Sequence, residues 1–119
     1  MFFFKKPSRV GLSVADAVQQ AASGDLLLID VREHGEVQST GKAKGALHIP
    51  LMRLRDMADR RHPDFHPLLT DAGPIAVYCA SGGRSAHAES ILRGLGFDPV
   101  HNIGGLGHWV QAGGALERG

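Results

Sequence analysis

Cysteine is almost missing from this chain: Cys79 is the one thiol in 119 residues. An intramolecular disulfide, a CxxC redox pair and a multi-thiolate zinc site are therefore excluded, and the usage suits a reducing compartment. Charge of one sign is missing too. Lys+Arg number 13 against 12 Asp+Glu, a formal net charge of +1 with the 7 His neutral, so there is no broad basic field to draw nucleic acid or an anionic membrane. No apolar stretch approaches the roughly 20 residues that cross a bilayer. The opening Met1-Phe2-Phe3-Phe4-Lys5-Lys6 puts apolar residues before charges, the reverse of a secretory signal. Together these absences predict a soluble, cytoplasmic protein in which Cys79 works without a second thiol from its own chain. The three phenylalanines are expected to cover one end of the core, the alternative being a small docking patch.

The length suits one compact domain with a single core. We expect residues 1–8 to form a tail and residues 9–119 one domain. Ser13 sits where an N-cap would, Asp16 follows three residues later, and Val14, Ala17, Val18 and Ala21 recur at helical spacing before Gly24. Leu26 to Val31 is a nearly continuous apolar run, the mark of a central parallel strand covered on both faces. Glu33 to Gly45 is polar and reads as a loop. Ala46 to Ile49 reads as a short strand, with Pro50 opening a helix in which Leu51, Leu54 and Ala58 share a face. His62-Pro63, His66-Pro67 and Gly73-Pro74 break regular structure, since proline lacks a donor and restricts its predecessor. Ile75 to Tyr78 is a second buried-type strand, and Ala88, Ile91, Leu92 and Leu95 give the i, i+3, i+4, i+7 stripe of a helix. Pro99 to Ile103 reads as a further strand, and a Gly-rich stretch leads on to Trp109. Strands alternating with helices imply an α/β fold: a mainly parallel central sheet of about five strands with helices on both faces.

Strand, tight loop and helix meet at Cys79. In open parallel sheets, ligands sit at the carboxyl ends of strands, where loops and helix N-termini converge. The residues that follow, Ala80-Ser81-Gly82-Gly83-Arg84-Ser85, are small enough to turn successive N–H groups inward around an anion before a helix starts. Lowering a thiol pKa by two units takes about 2.7 kcal/mol, more than a helix terminus alone provides. Converging N–H donors and the Arg84 cation supply the remainder, so an activated Cys79 thiolate is expected. A lone cysteine ending an apolar strand is otherwise a small buried hydrophobe. Two adjacent glycines and an arginine immediately downstream argue against that reading here. Arg84 at a helix start opposes the local positive dipole end, which favours anion binding or loop bracing. Ser81 and Ser85 are candidate donors to the sulfur, with Ser85 equally placed as a helix cap.

The constellation resembles the rhodanese (thiosulfate sulfurtransferase) family, in its single-domain form. Ile29-Asp30-Val31-Arg32-Glu33 looks like the signature after the family's central strand, and Gly45-Ala46-Leu47-His48-Ile49-Pro50 like its second motif. Val77-Tyr78-Cys79-Ala80-Ser81-Gly82-Gly83-Arg84-Ser85 matches its active loop. Asn102-Ile103-Gly104-Gly105-Leu106 through Trp109 is similar to its closing segment. One departure is Gly41-Lys42-Ala43, where the family usually shows Gly-His-Ile, and it bears on charge at the pocket mouth. The resemblance implies that Cys79 attacks the outer sulfur of thiosulfate or a related donor and holds it as a persulfide. A thiophilic acceptor such as cyanide, a thiol or a sulfur-accepting protein then removes it. The resemblance further implies that Ala80, Ser81, Gly82, Gly83 and Ser85 surround the transferred sulfur, that Arg84 attracts the donor's anionic oxygens, and that neither metal nor organic cofactor is required.

Asp30 and Arg32 lie at the end of the neighbouring strand and are expected to brace the active loop; Asp30 is not needed as a base. His48, His87, His101 and His108 have no spacing that sets them against Cys79, and Pro63 and Pro67 spoil His62 and His66 as a metal pair, so surface histidines are expected. Trp109 reads as a core or lid aromatic. Two other functions remain in view. A cysteine phosphatase or arsenate reductase has one more residue between cysteine and arginine than the four between Cys79 and Arg84. A non-catalytic binding module would be expected to lose the nucleophile or the loop glycines.

Overall fold

The computed structural model describes residues 12–119; the expected tail and the Phe2–Phe4 patch lie outside the described residues. Helix α1, Val14–Ser23, starts where the Ser13 hydroxyl accepts the Asp16 N–H at 3.0 Å and stops at Gly24 in the left-handed region. It lays Ala17 on the sheet. Strand β1 is Leu27–Asp30, and α2 follows at His34–Thr40. The elements then run β2 (Lys42–Ala43), β3 (Leu47–His48), α3 (Leu51–Met57), a 3-10 turn at Pro67–Leu69, β4 (Ile75–Cys79), α4 (Gly83–Gly94), β5 (Val100–Gly105), α5 (Leu106–Gln111) and β6 (Leu116–Glu117).

Strands β3-β1-β4-β5 form one parallel sheet in that order. The apolar runs of β1 and β4 make them the two central strands, and β4 is buried at every position. One face packs Ile29, Val31, Ile75 and Val77 under α3 and α4 through Leu54, Ala88, Ile91 and Leu92. The other packs Leu28, Ala76 and Tyr78 under α1 and α5 through Ala17 and Trp109. Helices therefore cover both faces, as right-handed crossovers between parallel strands require.

Two expectations are corrected. The parallel sheet has four strands rather than five, and β2 and β6 form a separate antiparallel pair, Lys42 opposite Glu117. Residues 33–45 hold a helix and a strand rather than a loop. Helix α2 lacks an apolar stripe and buries a single side chain, Val37. It forms because the Glu33 N–H, at its start, is accepted by the Glu36 carboxylate at 2.9 Å, a side-chain cap that hydropathy does not register. Trp109 is a core residue, 2 % exposed, with its indole N–H given to the Ala115 carbonyl at 2.8 Å. Among the described residues no helix is long and apolar enough to cross a membrane.

Candidate active site

Cys79 is the last residue of β4, and α4 begins four positions later. Sheet direction thus brings a strand's carboxyl end and a helix's amino end together at one sulfur. The turn between them needs Gly82 at φ 110, a left-handed conformation that side chains rarely adopt, and a Cβ there would lie 3.6 Å from Gly104 Cα. With Gly82 so placed, its N–H donates to Cys79 Sγ at 3.0 Å, the Ser85 N–H follows at 3.4 Å, and the Ser85 hydroxyl lies 3.4 Å from the sulfur. Ser85 is fully buried and Cys79 is 1 % exposed.

Two forces act on the thiol. Burial, the larger single influence, disfavours the anion; the Ser85 hydroxyl and the amides of Ser85, Gly82 and Ser81 jointly outweigh it and bring the pKa down to about 7. Hydrogen bonding to the charged form thus does what the helix terminus alone cannot. Ala80 and Gly83 are exposed and give the sulfur no hydrogen bond; they shape the turn.

Arg84 is half-buried, and its guanidinium makes a two-pronged pair with Glu36, Nη1 to Oε1 at 2.6 Å and Nη2 to Oε2 at 2.9 Å. That contact, with the N–H of Glu33, holds the Glu36 carboxyl down to about 2, so the pair stays charged through the working pH range. A donor anion reaching Arg84 therefore meets a cation already engaged. Glu36 was invisible as a site residue in composition or hydropathy; the Glu33–Glu36 spacing of a capping box was the available signal. Replacing Glu36 with glutamine should free Arg84 and tighten the binding of a small divalent anion such as sulfate about two- to fivefold, while Arg84→Ala should weaken it, in line with partly exposed pairs being worth under about 1 kcal/mol. Unchanged anion affinity in both variants, read by calorimetry, would remove Arg84 from anion binding.

Asp30 and Arg32 sit near the loop but direct their hydrogen bonds elsewhere. The Arg32 guanidinium pairs with the Asp30 carboxylate at 2.8 Å and also donates to Thr40 Oγ1 at 2.9 Å and the Gly41 carbonyl at 2.7 Å. Asp30 further accepts the Tyr78 hydroxyl at 2.6 Å, and that hydroxyl accepts the Ala43 N–H at 2.9 Å. The brace falls on the 40–43 segment that carries α2 into β2, because the side chains of Asp30 and Arg32 close on each other two residues apart. Lys42, the departure noted in sequence, has its charge paired with Glu117 at 2.6 Å and gives the mouth no free cation.

The expectation of surface histidines holds at His87 and His108, whereas His48, His62, His66 and His101 are half-buried, His48 with Nε2 2.7 Å from the Arg32 carbonyl oxygen. None of the described histidines hydrogen-bonds to Cys79, and the described residues contain no group of three metal-ligating side chains. The site is therefore a thiol activated by amides and a hydroxyl, with no histidine hydrogen-bonded to it among the described residues. Such an arrangement supports nucleophilic attack by sulfur on a small electrophile.

Comparison with known proteins points the same way. The Rhodanese-like domain family matches residues 13–112. Thiosulfate sulfurtransferase 16, chloroplastic, of Arabidopsis thaliana is 34% identical over 110 residues, covering 84% of this chain and 91% of that protein. The human single-domain sulfurtransferase TSTD1 superposes with a TM-score of 0.69 at 28% identity, covering 85% of this chain and 95% of that one. A protein of unknown function from Rhodopseudomonas palustris, described as a possible tyrosine phosphatase, superposes with a TM-score of 0.80 at 34% identity over 90% of this chain and 83% of its own.

Proposed function

The chain belongs to the rhodanese-like domain family, and on that premise we propose that it is a sulfurtransferase that moves a sulfane sulfur from thiosulfate or a related donor to a thiophilic acceptor through a Cys79 persulfide. One observation carries this reading: Sγ of Cys79 lies buried at the end of β4 with the N–H groups of Gly82 and Ser85 aimed at it. In the first displacement the thiolate attacks the outer sulfur of thiosulfate. An S–S bond forms to Cys79, the old S–S bond breaks, and sulfite leaves with the electron pair. In the second, cyanide or a thiol attacks that same outer sulfur and Sγ leaves as the thiolate that the loop already stabilises. The loop donors spread their hydrogen bonds over the negative charge in each step, and Arg84 and Glu36 decide how the donor's oxygens are received. Cyanide, a thiol or an acceptor protein are the candidate partners, and a cytoplasmic setting matches the single free thiol.

The R. palustris description raises phosphatase chemistry. That reading wants a cradle around a tetrahedral oxyanion, whereas here the amides of Ser81, Gly82 and Ser85 are spent on the sulfur itself. Hydrolysis of an aryl phosphate at a rate rivalling sulfur transfer would reverse the preference.

The test is the intact mass of the reduced protein before and after thiosulfate. Gain of one sulfur atom, removed by reductant, supports the persulfide. No gain from thiosulfate or a persulfide donor, with Cys79 demonstrably alkylated by iodoacetamide, would leave the binding-module reading. The rate of loading has a signed pH dependence. Cys79 is reactive as the thiolate, so loading should level off above pH 8, fall through a midpoint at about 7, and drop about tenfold per unit further down. A stopped-flow profile with its midpoint at the ordinary thiol value would show that the loop does not activate the sulfur.

A further inference from the structure

We propose that Asn102 is a positioning residue of the Cys79 site: its carboxamide ties the apex of the active loop and the Ser85 hydroxyl to β5, so that the donors of the loop converge on Sγ. Asn102 pairs with Val77 in the sheet, and the β4–β5 register then slips before Cys79 meets Gly105. Such an irregularity bends a strand and re-aims the side chain beside it. Oδ1 accepts the Ser85 hydroxyl at 2.7 Å and the Gly104 N–H at 2.9 Å, while Nδ2 donates to the Gly82 carbonyl at 3.1 Å. The Gly104 amide can only donate, which fixes which end of the carboxamide is oxygen. Two of these three partners, Gly82 and Ser85, are residues whose N–H groups reach the sulfur. Among the described residues, Asn102 is the side chain from outside the loop that hydrogen-bonds to them.

The single proton of Ser85 has four acceptors in reach: Asn102 Oδ1 at 2.7 Å, the Gly82 carbonyl at 3.1 Å, and the Gly104 carbonyl and Cys79 Sγ at 3.4 Å each. Loss of the carboxamide leaves that proton to the Gly82 carbonyl, the Gly104 carbonyl or Sγ, so the hydroxyl serves the sulfur only while Ser85 is held where it is. What it removes is the tether that keeps Gly82 and Ser85 in place. Asparagine is a poor strand former, and a half-buried amide is costly unless every contact is made, so its place in β5 is explained by these contacts rather than by the sheet.

The inference rests on the sulfurtransferase reading for its kinetic consequence, while its primary measurement does not. The full-length protein and Asn102→Ala are alkylated with iodoacetamide across pH, and the unfolding midpoints are recorded alongside. The midpoint of Cys79 alkylation in the variant should move up from about 7 by about one unit, and kcat/KM for sulfur transfer should fall about fivefold at neutral pH, and about tenfold well below it, to match. If the alanine variant folds poorly, Asn102→Thr, which suits a strand and adds no charge, loses the Gly82 tether and should shift the profile in the same direction. An alkylation profile in a folded variant that stays unshifted, or moves down because the Ser85 hydroxyl turns to the thiolate, would overturn the proposal, the unshifted case reducing Asn102 to a structural residue. Absence of sulfur transfer in the unmodified protein would instead fail the functional reading and leave the alkylation result to judge Asn102.

Discussion

Replacing Cys79 with serine should abolish sulfur loading, leaving turnover lower by about ten-thousandfold or more, because the proposed mechanism puts the covalent intermediate on this residue and no neighbour substitutes for it. A serine hydroxyl ionises far above neutrality, and the loop that brings the thiol to about 7 acts chiefly through hydrogen bonds. Lowering an alcohol's pKa enough to matter would need a general base, and no described histidine hydrogen-bonds to this position; His48 is held against the Arg32 carbonyl and His108 accepts the Gly105 N–H. The fold should tolerate the change. Cys79 packs in the cluster with Val77 and Ala88, and a serine there is slightly smaller. Its oxygen would meet the Gly82 and Ser85 N–H groups that now point at sulfur, so no buried polar atom is orphaned and the stability loss should stay near 1 kcal/mol. Intact mass after thiosulfate, read beside a denaturant titration, separates these effects. A variant that still gains a reducible sulfur would end the covalent mechanism, and one that loses several kcal/mol would show that the cysteine is first a packing residue.

Sequence and structure agree where local pattern carries the information. The runs at Leu26 to Val31 and Ile75 to Tyr78 exceed what a surface strand needs, and they become the central strands β1 and β4. The stripe of Ala88, Ile91 and Leu92 sets one face of α4, and Gly82 marks the turn into it. Cys79 is found by its place between those signals. What the sequence does not disclose depends on distant partners. Glu36 and Arg84 are 48 positions apart, and Lys42 and Glu117 are 75 apart, so neither pairing has a local signature. Helix α2 hides because Val37 is its one buried side chain and its start relies on the Glu33–Glu36 cap. Asn102 sits inside a recognisable closing motif, yet its role depends on a register slip that only the paired strands reveal.

Arg32→Ala should be the most destabilising of the substitutions considered, costing about 3–5 kcal/mol, the range for removing one partner of a buried ion pair. Arg32 is 3 % exposed and Asp30 is fully buried. Burial works against the guanidinium's charge, and the hydrogen bond and charge of Asp30 overcome it, holding Arg32 firmly protonated. Alanine at position 32 strips the Asp30 carboxylate of the guanidinium at 2.8 Å and leaves it with the Tyr78 hydroxyl and the residue 32 amide, too few donors for an anion without water. Thr40 Oγ1 and the Gly41 carbonyl lose their guanidinium partner in the same stroke. Those two contacts anchor the end of α2, the helix that carries Glu36 to Arg84, so the damage should spread from the brace to the mouth of the site. Two readouts distinguish brace from catalyst. Chemical denaturation should show the full energetic loss, while the pH midpoint of Cys79 alkylation should stay near 7 in the folded fraction, since none of the sulfur's donors is attached to Arg32. Removing both charges together, as in Asp30→Asn with Arg32→Met, should cost less than the single alanine change, because no lone charge remains buried. A loss below about 1 kcal/mol for Arg32→Ala would mean that water enters to solvate Asp30, and the 40–43 segment would then be held by the Tyr78 hydroxyl and the β2–β6 pair instead.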